Sequence, residues 1–175
     1  MAWINADRQK EICSIVEDIR IKTSFSYPEQ NIVDLARELG VSVYEVDFST
    51  NPEVNAMLVY NDEKNANKPT IYIKKALPDT RKRFTLAHEL GHYVLHKKEG
   101  VKFRLDGFDY SNDSQYAKEE TEANFFAATI LVPQEELKRL KTFFDNNLDV
   151  IADYFGVSKE VIENRTKWLK MNPLV

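Results

Sequence analysis

All three histidines of this 175-residue chain fall within nine residues, in the run RFTLAHELGHYVLH, as His88, His92 and His96. Pro78, Asp79 and Thr80 ahead of the run, and its apolar spacing, predict one long helix. Asp79 or Thr80 would cap it, it would run to about His96 or Lys98, and Gly100 would end it. Residues i and i+4 of a helix share a face, with Cβ atoms about 5–6 Å apart. His88 and His92 can therefore converge on one metal ion at about 2.0–2.1 Å each. His88-Glu89-Leu90-Gly91-His92 is an HExxH pattern, in which the glutamate serves a water on the metal as general base without ligating. His96 lies eight residues beyond His88, a rise of about 12 Å, so it cannot reach the same ion. It reads as a hydrogen-bonded structural residue near the helix C-terminus, where a partly charged imidazole is favoured. A longer pattern, with Gly three residues after the second histidine and His three later, fails because Leu95 and Lys98 stand there.

A catalytic zinc centre takes three protein ligands and leaves a fourth position open. With two histidines used and Cys13 remote, the third ligand should be a carboxylate. EETEANFFAATILVP supplies Glu119, Glu120 and Glu122 on the next helix, expected from about Tyr116 to Leu131. Its inward stripe is set by Ala123, Phe126, Ala127 and Ile130. Glu119 sits centrally on that stripe, Glu122 at one border and Glu120 nearer the other. The period slightly favours Glu119 and does not choose.

Helical spacing also appears from Asp7 to Ile21 and from Asn31 to Leu39, the latter stopped by Gly40. The period then changes to two, and Val41 to Phe48, Ala56 to Tyr60 and Thr70 to Lys75 read as short strands. The polar run Asn61 to Pro69 should join the last two as a hairpin. After the histidine helix comes an irregular stretch, then the glutamate-bearing helix, a helix from Pro133 to about Phe144, and helices at Leu148–Phe155 and Ser158–Leu169. The order predicts an α+β fold: a small three-stranded sheet packed with a helical core and C-terminal helices. Residues 1–144 would form the main domain, and 145–175 a C-terminal helical hairpin packed on it.

Hydrophobic residues make up 43% and charged residues 30%, the composition of a soluble globular chain. The longest near-apolar run, Phe125 to Val132, is too short to span a bilayer, and the charged N-terminal stretch has no secretory apolar region. Cys13 is the one cysteine, which excludes an internal disulfide and fits a reducing cytoplasm. A cytoplasmic protein with no membrane partner is expected. Net charge is −7 over residues 1–63, +8 over 64–104 and −5 over 105–175. The basic middle either steers an acidic partner or is neutralised within the fold.

The motifs Arg83-Phe84-Thr85, Ala87 to His92, Leu95-His96, Glu122-Ala123-Asn124, Phe126-Ala127 and Pro133, in that order, closely resemble the ImmA/IrrE family of zinc metallopeptidases. ARELGVSVYEVDF looks like the family's lead-in segment, so the resemblance covers about Asn31 to Pro133. It implies a zincin-like core with Zn2+ held by His88, His92 and Glu122, the glutamate of the EAN motif, and Glu89 as catalytic base. Glu119 and Asn124 become candidates to orient those ligands. Tyr72, Tyr93, Tyr110 and Tyr116 are candidates for oxyanion stabilisation, unranked by sequence. The resemblance also implies a protein substrate, a helix-turn-helix repressor of a phage, mobile-element or stress circuit. Separately, the residue-97-to-115 loop is long for a compact domain and reads as a cover for the site.

Two other classes remain open. Ile151 to Leu169 has a helix-turn-helix cadence, but residues 148–170 carry four basic and four acidic residues, so direct nucleic-acid binding is not expected. A non-hydrolytic zinc-binding anti-repressor would keep the metal and drop the cleavage.

Overall fold

Asn5 begins the first helix for a local reason: its side chain accepts the Arg8 backbone N–H, satisfying one of the donors a helix start leaves orphaned. That helix is α1 (Ala6–Thr23). The structure is a computed structural model describing residues 4–96, 101–105 and 114–171. Helix α2 (Ile32–Glu38) is capped by Asn31, and Gly40, at φ 77°, turns the chain out of it. Strands β1 (Ser42–Val46), β2 (Val54–Asp62) and β3 (Lys68–Lys74) follow. The remaining elements are α3 (Asp79–Leu95), β4 (Val101–Leu105), α4 (Ser114–Leu131), α5 (Gln134–Phe143), α6 (Leu148–Phe155) and α7 (Lys159–Met171). Pro78, not Asp79 or Thr80, occupies the cap position of α3. Asp79 lies in the first turn, where a negative charge suits the helix dipole.

The α+β class holds, with one strand more than the three expected. The sheet has four strands in the order β1-β3-β2-β4. β1 runs parallel to β3, and β2 runs antiparallel to both of its neighbours. β4 comes from the stretch read as irregular. It pairs with β2 from Ala56↔Arg104 to Val59↔Val101, giving the backbone groups on that side of β2 their partners. The alternation Val101-Lys102-Phe103-Arg104-Leu105 is the period-two signal that marks it.

Alternate residues of β2, Ala56, Leu58 and Tyr60, are buried, as are Ile71 and Ile73 of β3, and α3 lies across these two strands. Helix α4 lies along α3, and α1 and α7 both pack on α4. The C-terminal helices are tied to the same body. Arg83 donates to the Gly156 carbonyl at 3.2 Å, Tyr27 donates to the Phe155 carbonyl at 2.6 Å, and the Trp168 ring meets Phe125 edge-on at 5.2 Å. Arg165 of α7 is only 2% exposed, with Nε donating to the Val132 carbonyl and its guanidinium over the Phe125 ring. Burial pushes its pKa down to about 10.

The contact that sets the distance between α3 and α4 is made by a missing side chain. A Cβ on Gly91 would lie 3.1 Å from Ala123 Cα and Phe126 Cδ1 and 3.2 Å from the Ala123 carbonyl oxygen. Two of these three atoms are backbone, which yields little. Gly91→Ala gains about 1 kcal/mol of helix propensity and loses about 1–3 kcal/mol to overpacking. We expect a net loss on the order of 1 kcal/mol by urea denaturation, and a larger one for Gly91→Val. Unchanged stability in both would show that the helices can part freely.

Candidate metal centre

Residues Thr85 to His92 of α3 are all buried, because this stretch of the helix is packed by the sheet and by α4. His88 and His92 turn toward α4, and there they meet Glu120. One carboxylate oxygen of Glu120 lies 2.9 Å from His92 Nε2 and the other 3.2 Å from His88 Nε2. The two Nε2 atoms are 3.0 Å apart. Among the described residues, these three side chains form the group able to hold a metal ion. Ligand atoms about 2.0–2.1 Å from a tetrahedral ion are separated from one another by about 3.3 Å, so spacing and donor chemistry both fit. The imidazoles are buried, and the Glu120 side chain is 21% exposed.

The resemblance implied Glu122 as third ligand and the period leaned to Glu119; the structure brings neither to the two imidazoles. Glu122 is two residues beyond Glu120, about 200° round the helix, and cannot share its face. It accepts hydrogen bonds from Arg8 Nη2 at 2.6 Å and from His96 Nε2 at 3.1 Å. Glu119 is buried and accepts from Gln115 at 3.2 Å. The signal for Glu120 was present in the sequence. Asn124 stands one turn after it, and the Asn124 Oδ1 lies 2.8 Å from His88 Nδ1, so a helix that offers Asn124 to His88 offers Glu120 as well.

Burial alone would push the Glu120 carboxyl up, but its bonds to His88 and His92 outweigh that and hold it below the usual carboxylate range. Glu122 is likewise raised by burial and brought below its ordinary value by Arg8 and His96. His96 was read as partly charged; burial instead pushes it down, with Glu122 offsetting only part of the effect. Its Nδ1 lies 3.1 Å from His92 Nδ1. Glu89 is buried on α3 between the two imidazoles in sequence.

Two further residues near the centre escaped the sequence reading. Tyr60 of β2 donates to the carbonyls of His92 and His96 at 3.4 and 3.3 Å. Its hydroxyl is pushed up to about 12 by burial, then by the charges of Glu89 and Glu119. Arg8 sits on α1, far from every motif. Among the tyrosines offered for the oxyanion, Tyr72 is engaged elsewhere, donating to Asp62 at 2.6 Å and stacking on Tyr44. The Tyr93 ring lies 6.5 Å from that of Tyr60. Tyr110, Gly100 and most of the residue-97-to-115 loop lie outside the described residues.

Residues 36–167 match the sequence model of the Peptidase_M78 family, the IrrE N-terminal-like domain. The chain belongs to this family. The match runs through most of α7, farther than the motifs alone, and leaves α1 outside it. The chain is 30% identical over 135 residues to Uncharacterized immunity region protein 2 of Bacillus phage phi105, covering 77% of this chain and 78% of that protein. It is also 30% identical over 114 residues to Metallopeptidase ImmA of Bacillus subtilis (strain 168), covering 63% of this chain and 62% of ImmA. A solved structure of a Mycobacterium tuberculosis transcriptional regulator shares the fold, with a TM-score of 0.59 at 16% identity over 90% of this chain. The chain spans 48% of that structure's length. The chain thus joins an ImmA/IrrE family sequence to a His/His/Glu group that could hold a metal ion.

Asn124→Ala removes the acceptor of a buried imidazole N–H. It should cost roughly 1–3 kcal/mol in the metal-free protein by urea denaturation, and no loss would mean the bond is not formed.

Proposed function

We propose that this chain is a zinc-dependent endopeptidase of the ImmA/IrrE type. One observation carries the reading: two imidazoles and a carboxylate, from adjacent turns of α3 and from α4, meet within 3.2 Å next to a buried glutamate. His88 and His92 through Nε2, and Glu120 through its carboxylate, would hold Zn2+; we take Glu120 over Glu122 for this role because Glu122 is occupied by Arg8 and His96. Bound there, zinc supplies a Lewis acid and acidifies a water to near neutrality. Glu89 takes the proton of the attacking water on a carboxylate oxygen and passes it to the amine nitrogen of the departing product. Asn124 fixes the His88 ring by accepting from Nδ1, which leaves the Nε2 lone pair for the metal.

The substrate we propose is a helix-turn-helix transcriptional repressor in a phage, mobile-element or stress-response circuit, met in the cytoplasm. The relatives support this direction: one is named for a phage immunity region, another as a metallopeptidase, and the fold neighbour as a transcriptional regulator. No helix among the described residues is long and apolar enough to cross a membrane. Direct nucleic-acid binding is left out of the proposal. On the helix that would read DNA, Arg165 is buried and Lys159 pairs with Asp149 at 2.9 Å.

Incubation of the zinc-loaded protein with its helix-turn-helix repressor substrate should yield a discrete cleavage. Glu89→Gln should retain zinc and lose about 10²–10⁴-fold in turnover. Equal cleavage by that variant would remove Glu89 as the base. An intact repressor that is nonetheless relieved would favour the non-hydrolytic mode. By elemental analysis, His88→Ala, His92→Ala and Glu120→Ala should lose the metal, and Glu122→Ala should keep it at saturating zinc. The reverse pattern for the two glutamates would make Glu122 the ligand.

A further inference from the structure

Arg8 belongs to α1, a helix outside the family match, yet its guanidinium reaches 114 residues along the chain to Glu122 on α4. From there a continuous line of side chains leads back to the imidazoles. Arg8 Nη2 lies 2.6 Å from Glu122 Oε2, the same oxygen lies 3.1 Å from His96 Nε2, and His96 Nδ1 lies 3.1 Å from His92 Nδ1. Three of the four groups are buried, and the Arg8 side chain is 24% exposed.

Valence dictates the direction of the bonds to Glu122. A guanidinium only donates, and an ionised carboxylate only accepts. Glu122 therefore accepts from Arg8 on one side and from the Nε2–H of His96 on the other. His96, fixed through Nε2, meets the His92 ring through Nδ1, and on its far side His92 Nε2 lies 2.9 Å from a Glu120 oxygen. The His92 ring is thus gripped at both edges, and the edge away from Glu120 leads back to Arg8.

We infer that Arg8 is a positioning residue for the metal centre: through Glu122 and His96 it sets the ring orientation of His92. The inference rests on the proposed role of His92 as a ligand, and it gives the EAN glutamate a task other than ligation. It also makes α1 part of the functional unit, because the line ends on that helix.

The test uses the full chain and zinc alone. Affinity is read by competition with a chromophoric chelator, and the folding of each metal-free variant by urea denaturation. Arg8→Ala and Glu122→Gln should weaken zinc binding about 10–100-fold, the range for partners that orient a ligand. Arg8→Lys, which keeps the charge, should recover most of the loss. Should Arg8→Ala fail to fold, Glu122→Gln still decides. Unaltered affinity in the variants would overturn the inference while leaving the peptidase reading intact. A wild-type chain that takes up no zinc would remove both.

Discussion

The close approach of α3 and α4 at Gly91 is the constraint on which the rest depends. Gly91 stands between the two histidines in sequence, and with no side chain there the backbone of Ala123 comes into direct contact. Any larger residue holds the helices apart, and the 2.9 and 3.2 Å contacts from Glu120 to the imidazoles lengthen with them. The apolar residues around this contact, Ala87, Leu90, Phe126 and Ala127, are fully buried. Polar groups gathered in such surroundings are tolerated only when each is paired. Glu120 and Asn124 for His88, and Glu120 and His96 for His92, supply those pairs.

How much of this could be read from the residues depends on how local each feature is. The HExxH group is contained in five residues of one helix, so its geometry follows from helical rise and turn alone. The hairpin of β2 and β3 and the boundaries of most helices follow from period and caps. The third carboxylate is different. Periodicity picks out a buried face only when a helix has an exposed one, and α4 is buried nearly all round from Glu119 to Leu131 because α3, α1 and α7 all pack on it. Every glutamate on it then has some claim to face inward. Asn124 breaks the tie, since it must meet His88 and stands one turn from Glu120.

Arg8 lay beyond sequence reading for another reason. Its partner is on an element 114 residues away, and nothing local distinguishes it from any other arginine on an amphipathic helix. The C-terminal segment is the converse case, where the local cadence of a helix-turn-helix is plain but tertiary packing redirects it. Arg165 faces Phe125 and the Val132 carbonyl rather than solvent, and Arg83 and Tyr27 hold the Gly156 turn from behind. A shared motif shape thus serves as a wall of the peptidase core.

The most direct measurement is anomalous diffraction from crystals of the zinc-loaded protein at the zinc edge. One ion should appear about 2.0–2.1 Å from the Nε2 atoms of His88 and His92 and from an oxygen of Glu120, with a water completing the shell. Glu122 should remain against Arg8. An ion bound through Glu122, or one closed off by four protein ligands, would contradict this description of the site.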